Sequence, residues 1–167
     1  MHTLKRSLFL ASLAFVLSVL ASLPAAASEI VPGQGFNGIT LGAAQDAVKV
    51  HLGSPDKSDI IRGDETWTYF LCGGDLALGI QWNSQRKVES VTLLTLNPSD
   101  KVKQWIQSTN TVTSKGITLG TSVEDVLSKM GRPVQKVDRG NTTYLGYPGL
   151  LVHASDGKVI GLRVLPK

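Results

Sequence analysis

The segment Gly38-Ile39-Thr40-Leu41-Gly42 recurs as Gly116-Ile117-Thr118-Leu119-Gly120, at an offset of 78 residues. Across positions 38–55, eight of the 18 residues are identical to those at 116–133, and the match needs no gap. Typical residue usage gives about one identity by chance in a stretch of this length. We therefore interpret the chain as the product of an internal duplication.

A short helix is predicted after the repeated segment in each copy. In the second copy Thr121 is the expected N-cap, and Glu124 completes a capping box. Gly131 ends that helix and Gly53 ends its counterpart, each followed by a proline two residues later. The first copy has Ala43 where the second has its cap, so its helix begins without a capping oxygen. The apolar residues of the second helix recur at helical spacing on one face: Val123, Val126, Leu127 and Met130.

Strand-like alternation follows each predicted helix. The connecting turns are too short for parallel crossovers, so the sheet is predicted to be antiparallel. A linking helix is expected near 98–107, with Pro98 at its first position. The predicted strands of the first copy are Thr66–Cys72, Leu76–Trp82 and Lys87–Leu96, and those of the second are Gln135–Asp138, Thr142–Leu145, Leu150–His153 and Lys158–Val164.

The predicted fold class is α+β: two tandem helix-plus-antiparallel-sheet repeats that share a core or a continuous sheet. One such unit alone would be a marginal fold, which is why a shared core is expected. The predicted divisions are a signal peptide at 1–27, a first repeat at 28–97, a linking helix and linker at 98–115, and a second repeat at 116–167.

The first residues have the pattern of a secretory signal peptide. Lys5 and Arg6 precede an apolar run from Leu8 to Leu20, and the small-residue stretch Ala25-Ala26-Ala27-Ser28 offers a cleavage site after Ala27. The alternative is an uncleaved anchor, but the apolar run is shorter than the roughly 20 residues that a span requires. We expect an exported protein, periplasmic or extracellular, with no stable membrane span after signal removal.

Charge argues against a nucleic-acid partner. The whole chain carries a formal net charge of +4, and removal of Lys5 and Arg6 with the signal leaves +2. The remaining basic residues are scattered without a clustered stripe, whereas nucleic-acid binding needs one. The sequence leaves the oligomeric state open.

No catalytic, cofactor or metal site is predicted. Cys72 is the only cysteine, so it is expected to be a small buried hydrophobe, with an exposed redox or dimer-forming thiol as the alternative. His51 and His153 lie on different predicted elements without a nucleophile motif beside them. The stretch from Gly33 to Gly38 fits G-x-G-x-x-G, but no strand precedes it and no helix opens on it, so a flexible lead-in is expected rather than a phosphate site.

Aromatic side chains are the candidate binding residues, since tyrosine and tryptophan make good interface anchors. The competing interpretation is that they fill the core. Tyr147, in a predicted turn, is expected to be the most exposed of them, and the acidic pair Asp64-Glu65 is expected in a loop. The hypothetical protein-binding set is Trp67, Tyr69, Trp82, Tyr144, Tyr147, Asp64 and Glu65.

The Gly-Ile-Thr-Leu-Gly unit, the helix ending in Leu/Met-Gly-x-Pro, the aromatic strand and the closing Gly-Lys-Val hairpin resemble a known superfamily. The pattern is similar to the outer-membrane assembly lipoprotein family BamE (SmpA/OmlA) and to the two-repeat β-lactamase inhibitory protein. The resemblance covers about residues 36–96 and 114–165 and implies helices laid on a curved antiparallel sheet, with protein binding and no catalysis. The lipidated cysteine of the first family and the disulfides of the second have no counterpart here, so no binding residue is carried over.

Three functions follow from these features. The leading one is an exported, non-catalytic protein-binding module of the cell envelope or extracellular space, which engages a protein partner through its sheet face and hairpin loops. The alternatives are a secreted inhibitor of an extracellular enzyme, and a small-ligand carrier or enzyme whose site would have to bring His51, His153 or Cys72 together with acids.

Overall fold

The computed structural model describes residues 29–61 and 63–167. The predicted signal peptide lies outside these residues. The helices are α1 (Gln45–Leu52), α2 (Asp100–Thr109) and α3 (Val123–Met130). The strands are β1 (Ile30–Val31), β2 (Gly35–Phe36), β3 (Ile39–Thr40), β4 (Lys57–Ile61), β5 (Asp64–Leu71), β6 (Leu76–Trp82), β7 (Val88–Thr95), β8 (Gln135–Arg139), β9 (Thr142–Tyr147), β10 (Leu150–Ser155) and β11 (Lys158–Val164).

Eight of these strands form one sheet in the order β4-β5-β6-β7-β11-β10-β9-β8, with every neighbouring pair antiparallel. At its centre β7 pairs with β11, from Val91 opposite Val164 to Leu94 opposite Gly161. A second sheet of three short strands, β1-β2-β3, lies at the start of the described chain.

The predicted fold class of two helix-plus-sheet repeats is wrong: the described chain is mostly antiparallel sheet with three short helices. An eight-residue helix such as α1 or α3 is about 12 Å long, so it covers only part of a sheet and does not form a layer. The pairing of β7 with β11 joins the strands of both halves into one sheet, so neither half closes as a unit of its own.

The offset of 78 residues nevertheless relates several contacts in the structure. The Tyr69 hydroxyl donates to the carbonyl of Gly53 at 3.1 Å, and the Tyr147 hydroxyl donates to the carbonyl of Gly131 at the same distance. Each bond ties a strand to the residue that ends a helix, because Gly53 follows α1 and Gly131 follows α3. The repeated glycines therefore end their helices at positions that a tyrosine hydroxyl stabilises.

The helix starts differ from their predictions. Ser122, not Thr121, is the N-cap of α3, and it accepts from the backbone N–H of Asp125. The Thr121 hydroxyl is already used by the N–H of Thr118 in the preceding turn, so the predicted capping box with Glu124 does not form. The linking helix α2 begins after Ser99, whose side chain accepts from the N–H of Val102, and Pro98 lies before this cap.

The small three-stranded sheet and one edge strand of the large sheet were not predicted. The expected flexible lead-in is wrong, because Ile30, Phe36 and Ile39 are buried in the core and belong to β1, β2 and β3. The edge strand β4 was also missed, since nearly all its side chains are exposed and it lacks the apolar alternation of a half-buried strand.

The core lies on one face of the large sheet, under the helices. Val48 of α1, Val102 of α2 and Val126 of α3 are all buried there. Successive residues of a strand point to opposite faces of the sheet. The side chains that alternate with the core residues therefore form a second face, and no helix in the described part of the chain packs on it. We call this second face the open face.

Candidate functional site

The open face begins with the alternation of β5. Trp67 and Tyr69 are 4% and 6% exposed and belong to the core, whereas their neighbour Phe70 is 45% exposed. Thr66 and Thr68 share the face of Phe70, because residues two apart on a strand point the same way. This strand therefore presents two threonines and a phenylalanine to the open face.

A shallow trough of about 710 Å³ runs over the open face of β5, β6, β7 and β11. In the middle row of its floor Thr68, Gly79, Thr92 and Arg163 lie opposite one another on successive strands. Gly79 has no side chain to fill this row, and a Cβ placed there would meet the Thr92 side chain only at 3.9 Å, an ordinary contact. The backbone at this position would therefore accept a larger residue, and the effect of the glycine is to deepen the trough.

A chain of hydrogen bonds crosses the four strands at one end of the trough. Gln81 Nε2 donates to Asp64 Oδ2 at 2.8 Å, and Ser90 Oγ donates to Gln81 Oε1 at 3.3 Å. Arg163 Nε donates to Ser90 Oγ at 3.0 Å, and Arg163 Nη2 donates to Gln81 Oε1. Because Ser90 is buried, the guanidinium group is held in one orientation across the β7–β11 pair.

The guanidinium of Arg163 forms no ion pair with any residue in the described ranges, where the ion pairs join Lys57 to Asp59, Lys103 to Asp100 and Lys136 to Asp138. An arginine side chain carries five N–H donors, and the hydrogen bonds to Ser90 and Gln81 use two of them. The polar end of the trough therefore presents an oriented cation with donors to spare.

The other end of the trough is apolar. Phe70 and Leu96 are each 45% exposed, and both line the trough together with Ala77 and Leu94. On β7, Ser90 at the polar end and Leu94 at the apolar end are four residues apart, which is about 13 Å along a strand. The trough thus has a charged end and an apolar end, and strand geometry fixes the distance between them.

The open face continues onto the second half of the sheet. There the rings of Tyr144 and His153 are stacked, with centroids 4.5 Å apart and planes at 14°. His153 lies opposite Gly161, which in turn lies opposite Leu94 of the trough. Burial lowers the pKa of His153 below its ordinary value of 6.5, because desolvation disfavours the charged ring.

Most of the aromatic residues in the predicted binding set are core residues. Trp67 and Trp82 pack edge to face with centroids 4.7 Å apart, and Trp82 is only 1% exposed. Tyr147 is 8% exposed, so the expectation that it would be the most exposed aromatic is wrong: its ring fills the core while its hydroxyl bonds to Gly131. The expected exposed patch of tryptophan and tyrosine is therefore wrong for Trp67, Tyr69, Trp82 and Tyr147, and only Tyr144 reaches the open face.

The acidic pair belongs to a strand and not to a loop. Asp64 and Glu65 begin β5 and point to opposite faces of the sheet. Glu65 accepts from Trp67 Nε1 at 2.7 Å, from Gln45 Nε2 at 2.9 Å and from Ser58 Oγ at 3.4 Å. The Trp67 hydrogen bond, followed by those from Gln45 and Ser58 with the charge of Arg86, lowers the pKa of Glu65 despite partial burial. Glu65 therefore links α1 to the sheet, whereas Asp64 faces the trough.

The residues considered for an enzyme have separate environments. The ring nitrogen Nε2 of His51 lies 2.7 Å from the carbonyl of Asn37, His153 stacks on Tyr144, and Cys72 Sγ lies 3.8 Å from the carbonyl of Lys101. Burial raises the pKa of the Cys72 thiol, which disfavours the reactive thiolate. Within residues 29–61 and 63–167, no group of three or more His, Cys, Asp or Glu could hold a metal ion.

Sequence reasoning missed Arg163, Gln81, Ser90 and Gly79. The signal for Arg163 was present: a charged residue alternates with Leu162 and Val164 in an apolar strand, which places it on the opposite face. Gly79 gave the other signal, because a glycine inside a strand marks a place where a ligand or another backbone comes close.

No helix among the described residues is long and apolar enough to cross a membrane.

Comparison with known proteins identifies similar structures but no family. No family model matches the chain, and no curated protein matches it. A DUF4309 family protein (YjgB) from Bacillus subtilis has a similar structure, with a TM-score of 0.54 at 12% identity over 81% of this chain and 88% of that one. An extracellular protein containing an SCP domain from Bacillus anthracis gives a TM-score of 0.46 at 13% identity, over 76% of this chain and 44% of that one. At these identities the first likeness shows the fold alone, and the resemblance to the BamE and β-lactamase inhibitory proteins stays a prediction.

Proposed function

We propose that this protein is an exported, non-catalytic binding module that receives part of a protein partner in the trough on the open face of its sheet. Export rests on the signal-like sequence of residues 1–27. The observation that carries the binding role is the oriented Arg163 guanidinium at one end of a trough whose other end is an exposed apolar rim of Phe70 and Leu96, in a face that no described helix covers.

The open shape of the trough favours a protein partner over a small molecule. Ligand pockets for small molecules bury most of the ligand surface. Here the rim residues Phe70 and Leu96 are about half exposed, so a small apolar ligand lying on them would keep one side in water. A protein surface, in contrast, would cover the rim and the trough together. The inhibitor alternative receives less support, since Glu65 and Tyr147 are held by internal hydrogen bonds.

Photo-crosslinking from defined positions tests this proposal. A photoreactive phenylalanine analogue replaces Phe70 on the open face, and the same analogue replaces Val50, which is 89% exposed on α1, as the control. Each variant is expressed in the native host and irradiated in the intact cells. We expect a discrete adduct from position 70 that is absent from position 50. Equal adducts from both positions, or none from position 70, would contradict binding at the open face.

A variant that fills the trough with a side chain provides a second test of the proposed binding surface. Gly79→Val adds a β-branched side chain that suits a strand, and a Cβ at this position would meet Thr92 only at 3.9 Å, so the fold is expected to tolerate it. In the Phe70 crosslinking background, Gly79→Val is expected to abolish the adduct. An adduct of unchanged yield would show that the trough is not the binding surface.

A further inference from the structure

The charge and spacing of the trough specify which kind of segment it would receive. We propose that it recognises an extended segment of the partner in which an acidic side chain is followed, four positions later, by a large apolar side chain. This inference rests on the proposed function and adds the chemistry of the recognised segment.

The acidic side chain follows from the electrostatics of the polar end. Arg163 keeps donors beyond those bonded to Ser90 and Gln81, and it forms no ion pair within residues 29–61 and 63–167. The planar guanidinium is suited to a carboxylate, which accepts two parallel N–H bonds. Asp64 does not fill this role, because its Oδ2 accepts from Gln81 and Gln81 lies between the two charges. Gln81 and Ser90 hold the cation in position, so little side-chain entropy is lost when an anion binds.

The spacing follows from the strand geometry. Ser90, which holds the Arg163 guanidinium, and Leu94, which contributes to the apolar end, are separated by about 13 Å on β7. An extended segment advances about 3.3 Å per residue and points alternate side chains the same way. Side chains at positions i and i+4 therefore both face the sheet and are about 13 Å apart, whereas a spacing of i+3 sends the second side chain away.

The apolar residue follows from the rim. Phe70, Ala77 and Leu94 lie opposite one another on β5, β6 and β7, at the end away from Ser90 and Gln81, and Leu96 lines the same trough. The small side chain of Ala77 leaves room between Phe70 and Leu94 for a side chain to enter. Phe70 and Leu96 are each 45% exposed, so a leucine or phenylalanine from the partner would remove further apolar surface from water on both sides. Between the two ends, Thr68 and Thr92 flank Gly79, and this polar row selects no particular side chain in the middle of the partner segment.

Synthetic peptides test the inference without knowledge of the partner. The probe is an acetylated and amidated heptapeptide of serine and threonine with glutamate at its second position and leucine at its sixth. One control peptide moves the leucine to the fifth position, and another replaces the glutamate with glutamine. Binding to the purified protein is measured by backbone amide shifts in a ¹H–¹⁵N NMR titration. We expect the probe to shift amides around Gly79 and Thr92, and both control peptides to bind at least about tenfold more weakly.

Protein variants supply the matched comparison. Arg163→Gln removes the cation, and Arg139→Gln makes the same change at an exposed arginine on the edge strand β8. We expect Arg163→Gln to weaken probe binding at least about tenfold and Arg139→Gln to leave it unchanged. Equal binding of the glutamate and glutamine peptides to the unaltered protein would overturn the inference even if Arg163→Gln proved unstable.

The outcomes separate this inference from the proposed function. If Gly79→Val abolishes the cellular adduct from position 70 while the peptides show no preference for acid or spacing, the open face binds a partner of other chemistry and only the inference fails. If Gly79→Val leaves the adduct unchanged, the proposed function fails and the inference fails with it.

Discussion

The two tyrosine hydroxyls that bond to the C-terminal ends of α1 and α3 provide a quantitative test of the structure. Tyr69 and Tyr147 bond at 3.1 Å to Gly53 and Gly131, and their rings are 6% and 8% exposed. Replacement by phenylalanine keeps each ring in the core and removes one neutral hydrogen bond, which contributes about 0.5–1.5 kcal/mol. We expect each substitution to lower the free energy of unfolding by about 1 kcal/mol, because the two geometries match, and the Tm by about 3–5 °C.

The double substitution sharpens this expectation. β5 and β9, which carry the two tyrosines, are five strand spacings apart in the sheet, or about 24 Å, so the two effects should add to about 2 kcal/mol. The control is Tyr144→Phe, whose hydroxyl makes no hydrogen bond with any described residue, and it should change stability by less than about 0.5 kcal/mol. Urea unfolding followed by tryptophan fluorescence gives all four values. If either core variant is indistinguishable from Tyr144→Phe, the hydrogen bonds do not stabilise the helix ends as argued.

Three further predictions concern the core and its ionisable groups. Leu145→Ala removes a fully buried side chain and should cost about 3–4 kcal/mol of unfolding free energy, measured by the same urea titration; a loss under about 1 kcal/mol would contradict its place in the core. The pKa of Glu65 is lowered in the folded protein, so its contribution to stability is present above the ordinary value of 4.5 and is lost as pH falls through the folded pKa; Glu65→Gln should flatten this acid limb of the Tm profile. The pKa of His153 is also lowered in the folded protein, so just below pH 6.5 the unfolded chain binds more protons than the folded one. Stability should therefore decrease as the pH is lowered from 6.5 to the folded pKa. His153→Gln should remove this slope from the Tm profile, and an unchanged profile would argue against burial of the ring.

Local features of the fold could be predicted where a single residue type decides the conformation. Gly53 and Gly131 end their helices as expected, and β6 and β11 have their predicted bounds because apolar alternation and flanking turns mark them clearly. The pairing of β7 with β11 could not be predicted, since it depends on contacts between residues about 70 positions apart. The edge strand β4 escaped because an exposed strand needs no apolar pattern.

The site was harder to predict than the fold, for a physical reason. Aromatic residues serve a core and an interface equally well, so composition alone did not separate Trp67 and Trp82 from surface anchors. The open face became visible only when strand register placed Arg163, Ser90 and Gln81 beside one another from three distant segments. Asp64 and Tyr144 are the members of the predicted set that face this surface or its continuation.

The central pairing of β7 with β11 has a consequence for how the chain reaches its native state. Contacts between segments this distant raise the contact order, and high contact order slows folding because a long loop must close before the strands gain any stabilisation. Until β11 has emerged and paired, β7 presents an unprotected edge that carries the apolar side chains of Val91 and Leu93. Export in the unfolded state, which the proposed function would require, would keep this edge exposed until β11 arrives, so chaperone dependence should concentrate in that interval.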